Sequence, residues 1–282
     1  MMPFVIVNGE LVEGDKPVIT LDNRAFHYGD GIFETIRIVK GSPSFLDAHW
    51  ARLMEGLKVL RIQQPRGLDR SSLERYLLQL VARCGMPNAR ARLTIFRDSP
   101  GYYRPQHHTG GFTIELNAIP NEVYTLNEHG LMVDIYPEMR KAVNMLAVHK
   151  TLGCQLYVMA NLWCMERGLD DCLLQNDRGN IIESSGGNLF IVSNGVLYTP
   201  SLADGCLGGI MRMQIINLAI ENGIKVYECS LNPQNLLAAD ELFFTNASRG
   251  LQWVGSYRTK RYTHRLASSL VTMLVNKVLT RS

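Results

Sequence analysis

A single carboxylate stands between two apolar runs in the segment IIESSGGNLFIV, residues 181–192. Glu183 follows two isoleucines and precedes a run of small residues, 184–187. A partly buried carboxylate needs a cationic partner to stay charged, and a protonated pyridinium nitrogen is one such partner. The small residues would let the backbone approach a flat ring closely. The alternative is a strand-end carboxylate that reaches solvent or caps the turn that follows it.

The chain has several lysines, and one of them could act with such a ring. Carboxylates stand opposite the ring nitrogen of pyridoxal 5'-phosphate (PLP), whose charged ring acts as an electron sink. If PLP is bound, one lysine must form the Schiff base, and it must be partly desolvated to be nucleophilic near neutral pH. Lys150, next to His149 in VHKTLG, is a candidate, with a surface charge as the alternative.

Two further segments could bind a phosphate group. In GCLGGIMR, glycines stand directly before a predicted helix over residues 209–222. Free backbone N–H groups and the helix dipole favour an anion at such a helix start. In TNAS, residues 245–248, small polar residues follow the apolar strand ELFF and could add donors. Glycine before a helix and small residues after a strand are also common in ordinary turns.

Composition bounds the class of protein. With 282 residues, 46% hydrophobic and 20% charged, the chain is typical of globular proteins with one large domain or two modest ones. The net charge of +3 gives no reason to expect nucleic acid. The sequence shows no apolar run near about 18 residues, and the segment MMPFVIVNGE contains no basic region and no long apolar run, so neither a membrane span nor a secretory signal is predicted. Six cysteines without a CxxC pair predict reduced, mostly buried thiols and no metal site, in a cytoplasmic protein.

Periodicity and turn residues predict the elements that hold these groups. The Asn-Gly pair in FVIVNGELV predicts a hairpin. One helix is predicted from Asp47, as its cap, and another from the capping box Ser71–Glu74 to Gly85. The other predicted elements are strands over 91–96, 112–119 and 131–136, a helix over 152–167 ended by Gly168, strands over 172–175 and 188–192 with a turn at 193–195, the helix over 209–222, a strand over 225–230, a short helix over 233–239, a strand over 241–246 and a helix from about 264.

The order of these elements favours an α+β chain of two domains. Strands and helices alternate without a regular βαβ period. A composition break over residues 119–127 is the predicted linker. We therefore expect an N-terminal domain over 1–119 and a C-terminal domain over 120–282, with Lys150 and Glu183 on the second.

The candidate motifs also occur in one order along the chain. They are GDGIFETIR at residues 29–37, HWARL, VHKTLG, ESSGGNLF, GGIMR and ADELFFTNAS. Together they resemble the class IV (fold type IV) family of PLP-dependent aminotransferases, which includes branched-chain aminotransferases, D-amino-acid aminotransferases and 4-amino-4-deoxychorismate lyase. The resemblance covers roughly residues 5–255. It implies a smaller N-terminal and a larger C-terminal α+β domain, a cofactor cleft between them, and a homodimer.

The resemblance also implies roles for individual residues. Lys150 would be the Schiff-base lysine, Glu183 the partner of the pyridine nitrogen and Arg52 a bidentate clamp on the phosphate. The backbone N–H groups that would complete the phosphate site belong to Ile210, Met211, Asn246 and Ala247. The residues predicted to bind substrate are Phe33, Arg92, Arg104 and Ser248, with surface arginines as the alternative for the two arginines.

Two departures from the family pattern bear on the activity. Many members have Thr where Met211 stands, and branched-chain enzymes carry Tyr where Gln155 stands, five residues after the lysine. The first interpretation is a PLP-dependent aminotransferase acting on a branched-chain-like or D-amino acid and a 2-oxo acid, with Lys150 moving the proton. The alternative is 4-amino-4-deoxychorismate lyase, which releases pyruvate and 4-aminobenzoate. A third hypothesis is a non-catalytic relative that binds a metabolite or a partner.

Overall fold

The computed structural model describes residues 3–280 and divides them into two compact units. The first contains the residues up to Glu122 and the segment His149–Gly153, and the second contains Val123–Val148 and the residues from Cys154 onward. This corrects the predicted division, which ended the first domain at residue 119 and placed Lys150 in the second. The mix of helices and sheets confirms the α+β class.

In the first unit, helices pack on an antiparallel sheet. Its elements are β1 (Phe4–Val7), β2 (Glu10–Glu13), α1 (Arg24–Tyr28), β3 (Gly31–Val39), β4 (Ser42–Pro43), α2 (Leu46–Leu60), α3 (Arg70–Cys84), β5 (Ala89–Arg97) and β6 (Gly110–Ala118). The strand order within the described residues is β2-β1-β6-β5-β3-β4. The predicted hairpin is confirmed, because Val7 pairs with Glu10 across Asn8 and Gly9, and both turn residues have positive φ.

Strand β3 is buried at every position except Thr35. Leu53 and Leu57 of α2 and Leu77 of α3 belong to the core that packs against this sheet. The i, i+4 spacing of the two α2 leucines puts both on one face of the helix. A strand buried this completely gives the side chains at its N-terminal end a rigid base.

Both predicted helix starts in the first unit are wrong by one or two residues. Phe45, in the left-handed conformation, precedes α2, so Asp47 lies inside the first turn instead of capping the helix. The predicted box Ser71–Glu74 is replaced by Asp69 and Ser72, whose side chains each bond the other's backbone N–H at 2.7 Å. Asp is as good an N-cap as Ser, and only the backbone trace shows which residue is still extended.

The segment 149–153 joins the first unit through strand-like pairing with β3. The N–H of Phe33 donates to the carbonyl oxygen of Lys150 at 2.9 Å, and the N–H of Leu152 donates to that of Gly31 at 3.0 Å. This pairing keeps the chain extended where a helix was predicted from residue 152.

The second unit is larger in its number of elements. They are β7 (Leu131–Ile135), α4 (Gln155–Arg167), β8 (Asp171–Gln175), β9 (Ile181–Ser184), β10 (Asn188–Ser193), β11 (Val196–Pro200), a 3₁₀ turn (Leu202–Asp204), α5 (Ile210–Glu221), β12 (Val226–Cys229), α6 (Pro233–Ala238), β13 (Glu241–Asn246), β14 (Gly250–Tyr257), β15 (Lys260–Arg261) and α7 (Arg265–Leu279). Strands β9, β14 and β15 were not predicted, because each is short or mixed in pattern. The predicted helix end at Gly168 is confirmed by its left-handed conformation.

The sheet of the second unit closes on itself. Its order is β12-β11-β10-β13-β14-β7-β8-β9, and β9 also pairs with β10 through Glu183 and Asn188. Closure removes the free edge that β9 would otherwise expose. It also places Glu183 at the point where the ring of strands closes.

Two sequence expectations concern membranes and thiols. Across residues 3–280, no helix has the length and apolar character needed to cross a membrane. The six cysteines all lie in this range and are free thiols, three of them buried and three half-buried.

Candidate active site

In the first unit, Arg52 on α2 is held by a carboxylate of β3. Its Nε donates to Glu34 Oε1 at 2.8 Å and its Nη2 donates to Glu34 Oε2 at 2.5 Å. His49, one turn earlier on the same face of α2, places Nδ1 2.6 Å from Glu34 Oε2. Such a bidentate pair fixes the plane of the guanidinium group. Arg52 is therefore oriented by Glu34 before any ligand is considered.

The buried cluster of Glu34, His49 and Arg52 has defined charges. Burial raises the pKa of Glu34, but the attraction of Arg52 and, in acid, of protonated His49, together with the hydrogen bonds of both, outweighs this and lowers it to about 2. Burial lowers the pKa of His49 and outweighs the charge and hydrogen bond of Glu34, which raise it, while the positive charges of Arg52 and Lys150 act in the same direction as burial. We therefore assign an ionised Glu34 and a neutral His49 at neutral pH.

The lowered pKa of Glu34 predicts a loss of stability in acid. A carboxyl group with a folded-state pKa of about 2, against an ordinary value of 4.5, stabilises the fold above pH 4.5 and loses this contribution as the pH falls toward 2. We expect Glu34→Gln to remove this dependence. The difference in unfolding free energy between wild type and variant should shrink by about 2 kcal/mol from pH 6 to pH 3. Urea unfolding at several pH values measures it, with the exposed Glu10→Gln as control; a constant difference would contradict the assignment.

Lys150 and Arg92 both contact the ring of Phe33. The Nζ of Lys150 lies 4.2 Å from the ring centroid and the guanidinium carbon of Arg92 lies 3.7 Å from it. Phe33 is buried on β3, and Arg92 lies opposite Thr35 on the neighbouring strand β5. Cation–π contacts of this kind hold both cationic groups at one ring. An amine and an anion-binding guanidinium are thus brought to the same side chain.

The remaining predicted substrate residue of the first unit is placed differently. Arg104 is exposed in the loop between β5 and β6. Arg24 anchors this loop by donating to the carbonyl oxygens of Gly101 and Tyr102 at 2.7 and 2.5 Å. Asp30 bonds the Nε atoms of both Arg24 and Arg97, at 2.7 and 2.9 Å. Arg97 therefore belongs to a buried ion-pair network that supports the loop.

In the second unit, Glu183 is the centre of a buried polar cluster. Its side chain is 3% exposed. Its Oε1 accepts from Lys141 Nζ at 2.7 Å and from the Tyr157 hydroxyl at 2.9 Å, and its Oε2 accepts from the Leu207 N–H at 2.7 Å. Burial raises the pKa of Tyr157, and the charge of Glu183 adds to this, so the phenol remains a donor. The prediction that Glu183 needs a cationic partner is met within the protein by Lys141.

The start of α5 is the segment that the sequence predicts to bind a phosphate group. Gly209 caps the helix, so the N–H groups of Ile210 and Met211 have no acceptor within the helix. A Cβ on Gly209 would lie 1.9 Å from Asn188 Oδ1, so only glycine fits. Asn188 donates to the carbonyl oxygen of Leu207 at 2.7 Å, which fixes the segment before the helix.

The predicted phosphate residues after β13 form a tight turn. Asn246 Oδ1 accepts from the N–H groups of Ser248 and Arg249 at 3.1 and 2.9 Å. The hydroxyl of Tyr124 donates to the carbonyl oxygen of Ala247 at 2.9 Å. The N–H of Ser248 is therefore engaged by Asn246, and these hydrogen bonds hold the turn together.

These donor sets fit PLP. The second unit supplies a buried carboxylate for a ring nitrogen and a helix start for a phosphate, with a glycine where a side chain would clash. Among the described residues, the buried Thr245 Oγ1 lacks a hydrogen-bond partner, so β13 ends with an unused polar group next to the turn. The first unit supplies an oriented arginine and a lysine held at an aromatic ring. Each unit thus carries groups of the kinds that hold PLP in an enzyme.

Comparison with known proteins gives the family. The family model described as amino-transferase class IV matches residues 31–257. A protein of Methanocaldococcus jannaschii, provisionally named a branched-chain-amino-acid aminotransferase, is 32% identical over 245 residues, which are 86% of this chain and 84% of that protein. The chain belongs to the class IV aminotransferase family, whose members are PLP-dependent enzymes.

Solved structures share the fold over nearly the whole chain. The branched-chain aminotransferase of the archaeon Thermoproteus uzoniensis, solved with norvaline, has a TM-score of 0.91 and 24% identity, covering 100% of this chain and 96% of that one. A Legionella pneumophila protein, provisionally named 4-amino-4-deoxychorismate lyase, has a TM-score of 0.85 and 25% identity, covering 94% of this chain and 96% of that one.

Sequence reasoning missed the residues that support the predicted ones. Glu34 and His49 lie inside the quoted motifs, and the i, i+3 spacing of His49 and Arg52 is a signal that could have linked them. Lys141 and Tyr157 have no such signal, because their contact with Glu183 joins residues that are distant along the chain.

Proposed function

We propose that this protein is an aminotransferase that moves an amino group between an amino acid and a 2-oxo acid. The observation that carries the proposal is the shared contact of Arg92 and Lys150 with Phe33. An α-amino acid carries its carboxylate one bond from Cα, so it needs an anion-binding group beside the group that moves the Cα proton. Arg92 would bind the carboxylate, and Lys150 would take and return the proton.

The other predicted residues would hold the cofactor. Bound PLP supplies the electron sink that stabilises negative charge at the substrate Cα. Glu183 would pair with the ring nitrogen, and Arg52, fixed by Glu34, would bind the phosphate. The remaining phosphate donors would be the N–H groups of Ile210, Met211, Asn246 and Ala247. Ser248 would contribute to the substrate side.

The substrate we favour is an apolar, branched-chain-like amino acid. The ring of Phe33 is an apolar wall beside the two cationic groups, and the M. jannaschii relative carries a branched-chain name. Leucine, isoleucine and valine in their L and D forms, each with 2-oxoglutarate, test both the side chain and the stereochemistry. Turnover that depends on the 2-oxo acid supports the proposal.

A second candidate is 4-amino-4-deoxychorismate lyase. Met211, buried at the start of α5, has no hydroxyl to offer a phosphate, and this departs from the pattern of many aminotransferases. The similarity to the Legionella protein points the same way. The purified enzyme with aminodeoxychorismate and no 2-oxo acid should then release pyruvate. That result would replace the aminotransferase proposal.

We also propose that the active form is a homodimer. Helix α4 exposes an apolar stripe made by Val158, Met159, Leu162 and Met165, the last at 76% exposure. Exposed stripes of this kind are typical of interaction surfaces. The cytoplasmic location expected from the sequence stays a prediction.

The homodimer proposal predicts the effect of a charge in this stripe. Met165→Lys would bury an unpaired ammonium at the interface, so we expect the dimer to dissociate at micromolar protein concentration. Light scattering after size exclusion measures it. Ile220→Lys, at a 63% exposed position on α5, is the control and should stay dimeric. A monomeric wild type would contradict the proposal.

A further inference from the structure

Lys141 contacts Glu183, the carboxylate that the proposed function pairs with the ring nitrogen of the cofactor. Its Nζ lies 2.7 Å from Glu183 Oε1, and its side chain is 12% exposed. Its N–H donates to the carbonyl oxygen of Gln175 at 2.9 Å, and its own carbonyl oxygen accepts from the N–H of Asp177 at 3.1 Å. Because the backbone is held on both sides, the ammonium group is positioned by the fold.

The other groups around Glu183 are neutral donors or thiols. Tyr157 shares Oε1 with Lys141, and the Leu207 N–H occupies Oε2. Burial raises the pKa of Tyr157, and burial also raises the pKa of the neighbouring Cys206 thiol to about 12, so both remain protonated at neutral pH. Among the groups that residues 3–280 place in contact with this carboxylate, Lys141 is the one that brings a positive charge.

We propose that Lys141 is a positioning residue that shares the charge of Glu183 with the cofactor's ring nitrogen and so weakens the hold of Glu183 on that nitrogen. The inference rests on the proposed function. A carboxylate already paired with an ammonium group at hydrogen-bond distance attracts a second cation less than an isolated carboxylate does. Removing the ammonium leaves the ring nitrogen as the main counter-charge in a buried environment. The enzyme would then depend more strongly on a ring that can be protonated.

A pair of cofactors that differ only in the ring nitrogen measures this dependence directly. The probes are PLP and its analogue with carbon in place of the ring nitrogen, bound to apo-protein and followed by protein fluorescence. Both probes bind through the same phosphate and lysine contacts, so the contributions of these contacts to the binding free energy cancel in the ratio of the two Kd values. We expect Lys141→Met to raise the preference for PLP about tenfold, since one unit of pKa is a tenfold change in the equilibrium.

The bound form gives a second readout that does not use activity. The pH at which the ring nitrogen of bound PLP loses its proton, followed by nitrogen NMR of ring-labelled PLP, should move upward by about one unit in Lys141→Met, because the ring nitrogen keeps its proton more strongly. The groups that face Glu183 and could titrate are Lys141, Tyr157 and Cys206. Tyr157→Phe, which removes a neutral donor, should not reproduce this shift.

Matched variants separate a charge effect from a structural one. Lys141→Arg keeps the positive charge and should return the wild-type Kd ratio. Lys141→Gln removes the charge with less change of shape. It should raise the preference for PLP as Lys141→Met does, and it replaces Lys141→Met if that variant does not fold. Lys277→Met breaks another lysine–glutamate pair, with the more exposed Glu221 at 3.0 Å between α7 and α5, and should leave the ratio unchanged. An unchanged ratio in both Lys141→Met and Lys141→Gln overturns the inference. If wild type transaminates but these variants show that unchanged ratio, only this inference fails; if wild type binds no PLP, the proposed function fails with it.

Discussion

Replacing Lys150 with alanine is expected to lower the rate of amino transfer by about 10²- to 10⁴-fold, the range that a positioned acid–base group contributes. The backbone of Lys150 pairs with β3 through its carbonyl oxygen, so the change removes the amine without removing the pairing. Stopped assays with an amino acid and a 2-oxo acid measure the rate. The exposed Lys58→Ala on α2 is the matched control and should keep the wild-type rate.

Chemical trapping tests the same lysine independently of turnover. Borohydride should fix the cofactor covalently to wild type at Lys150 and leave the Lys150→Ala variant unlabelled. A variant that retains the wild-type rate would contradict the assignment of Lys150. A colourless wild type that cannot be reconstituted with PLP would favour the third hypothesis, a non-catalytic relative.

The second large effect is expected from Glu183→Gln. An amide carries no negative charge, so it cannot balance the positive charge of a protonated ring nitrogen. The pKa of the ring nitrogen should therefore fall by about 1 to 3 units, and kcat should fall by about 10- to 10³-fold. The change also leaves Lys141 buried without its counter-charge, which costs about 3–5 kcal/mol of folding stability. Kinetics, PLP spectra and urea unfolding should be measured on the same preparation.

A second buried glutamate separates these two losses. Glu241 is 4% exposed and accepts from the N–H groups of Leu266 and Ala267 at the start of α7, at 2.8 and 3.1 Å. Glu241→Gln should lower stability without changing the spectrum of bound PLP or its pH dependence. If both variants change the spectrum alike, the effect of Glu183 is structural and its pairing with the ring nitrogen is wrong.

Charge assignment explains why the two units use their buried acids differently. Glu34 binds Arg52 through both carboxylate oxygens, so its negative charge is paired with that arginine and orients it. Glu183 binds a lysine through one oxygen and a neutral N–H donor through the other. The lysine and a cofactor ring nitrogen would therefore compete for the negative charge of Glu183. The first arrangement fixes the orientation of Arg52. In the second, the strength of the interaction between Glu183 and the ring nitrogen depends on Lys141.

The alternation of strands and helices predicted the α+β class, and the resemblance carried by the order of motifs implied the family and PLP as cofactor. These depend on local patterns: a carboxylate followed by small residues, glycines before a helix, and a hairpin at Asn8-Gly9. Helix ends at Gly85 and Gly168 were also predictable, because a left-handed residue after a helix is usually glycine.

Only the tertiary structure decided which groups surround the predicted residues. Local patterns could not show that the backbone at Lys150 pairs with β3, or that Lys141 reaches Glu183 across 42 positions of the sequence. Sequence spacing reports contacts within a helix or a hairpin, whereas these contacts depend on how distant segments pack. The amino-acid sequence thus determined which chemical groups this protein has, and the packing of distant segments decided which charge each group faces.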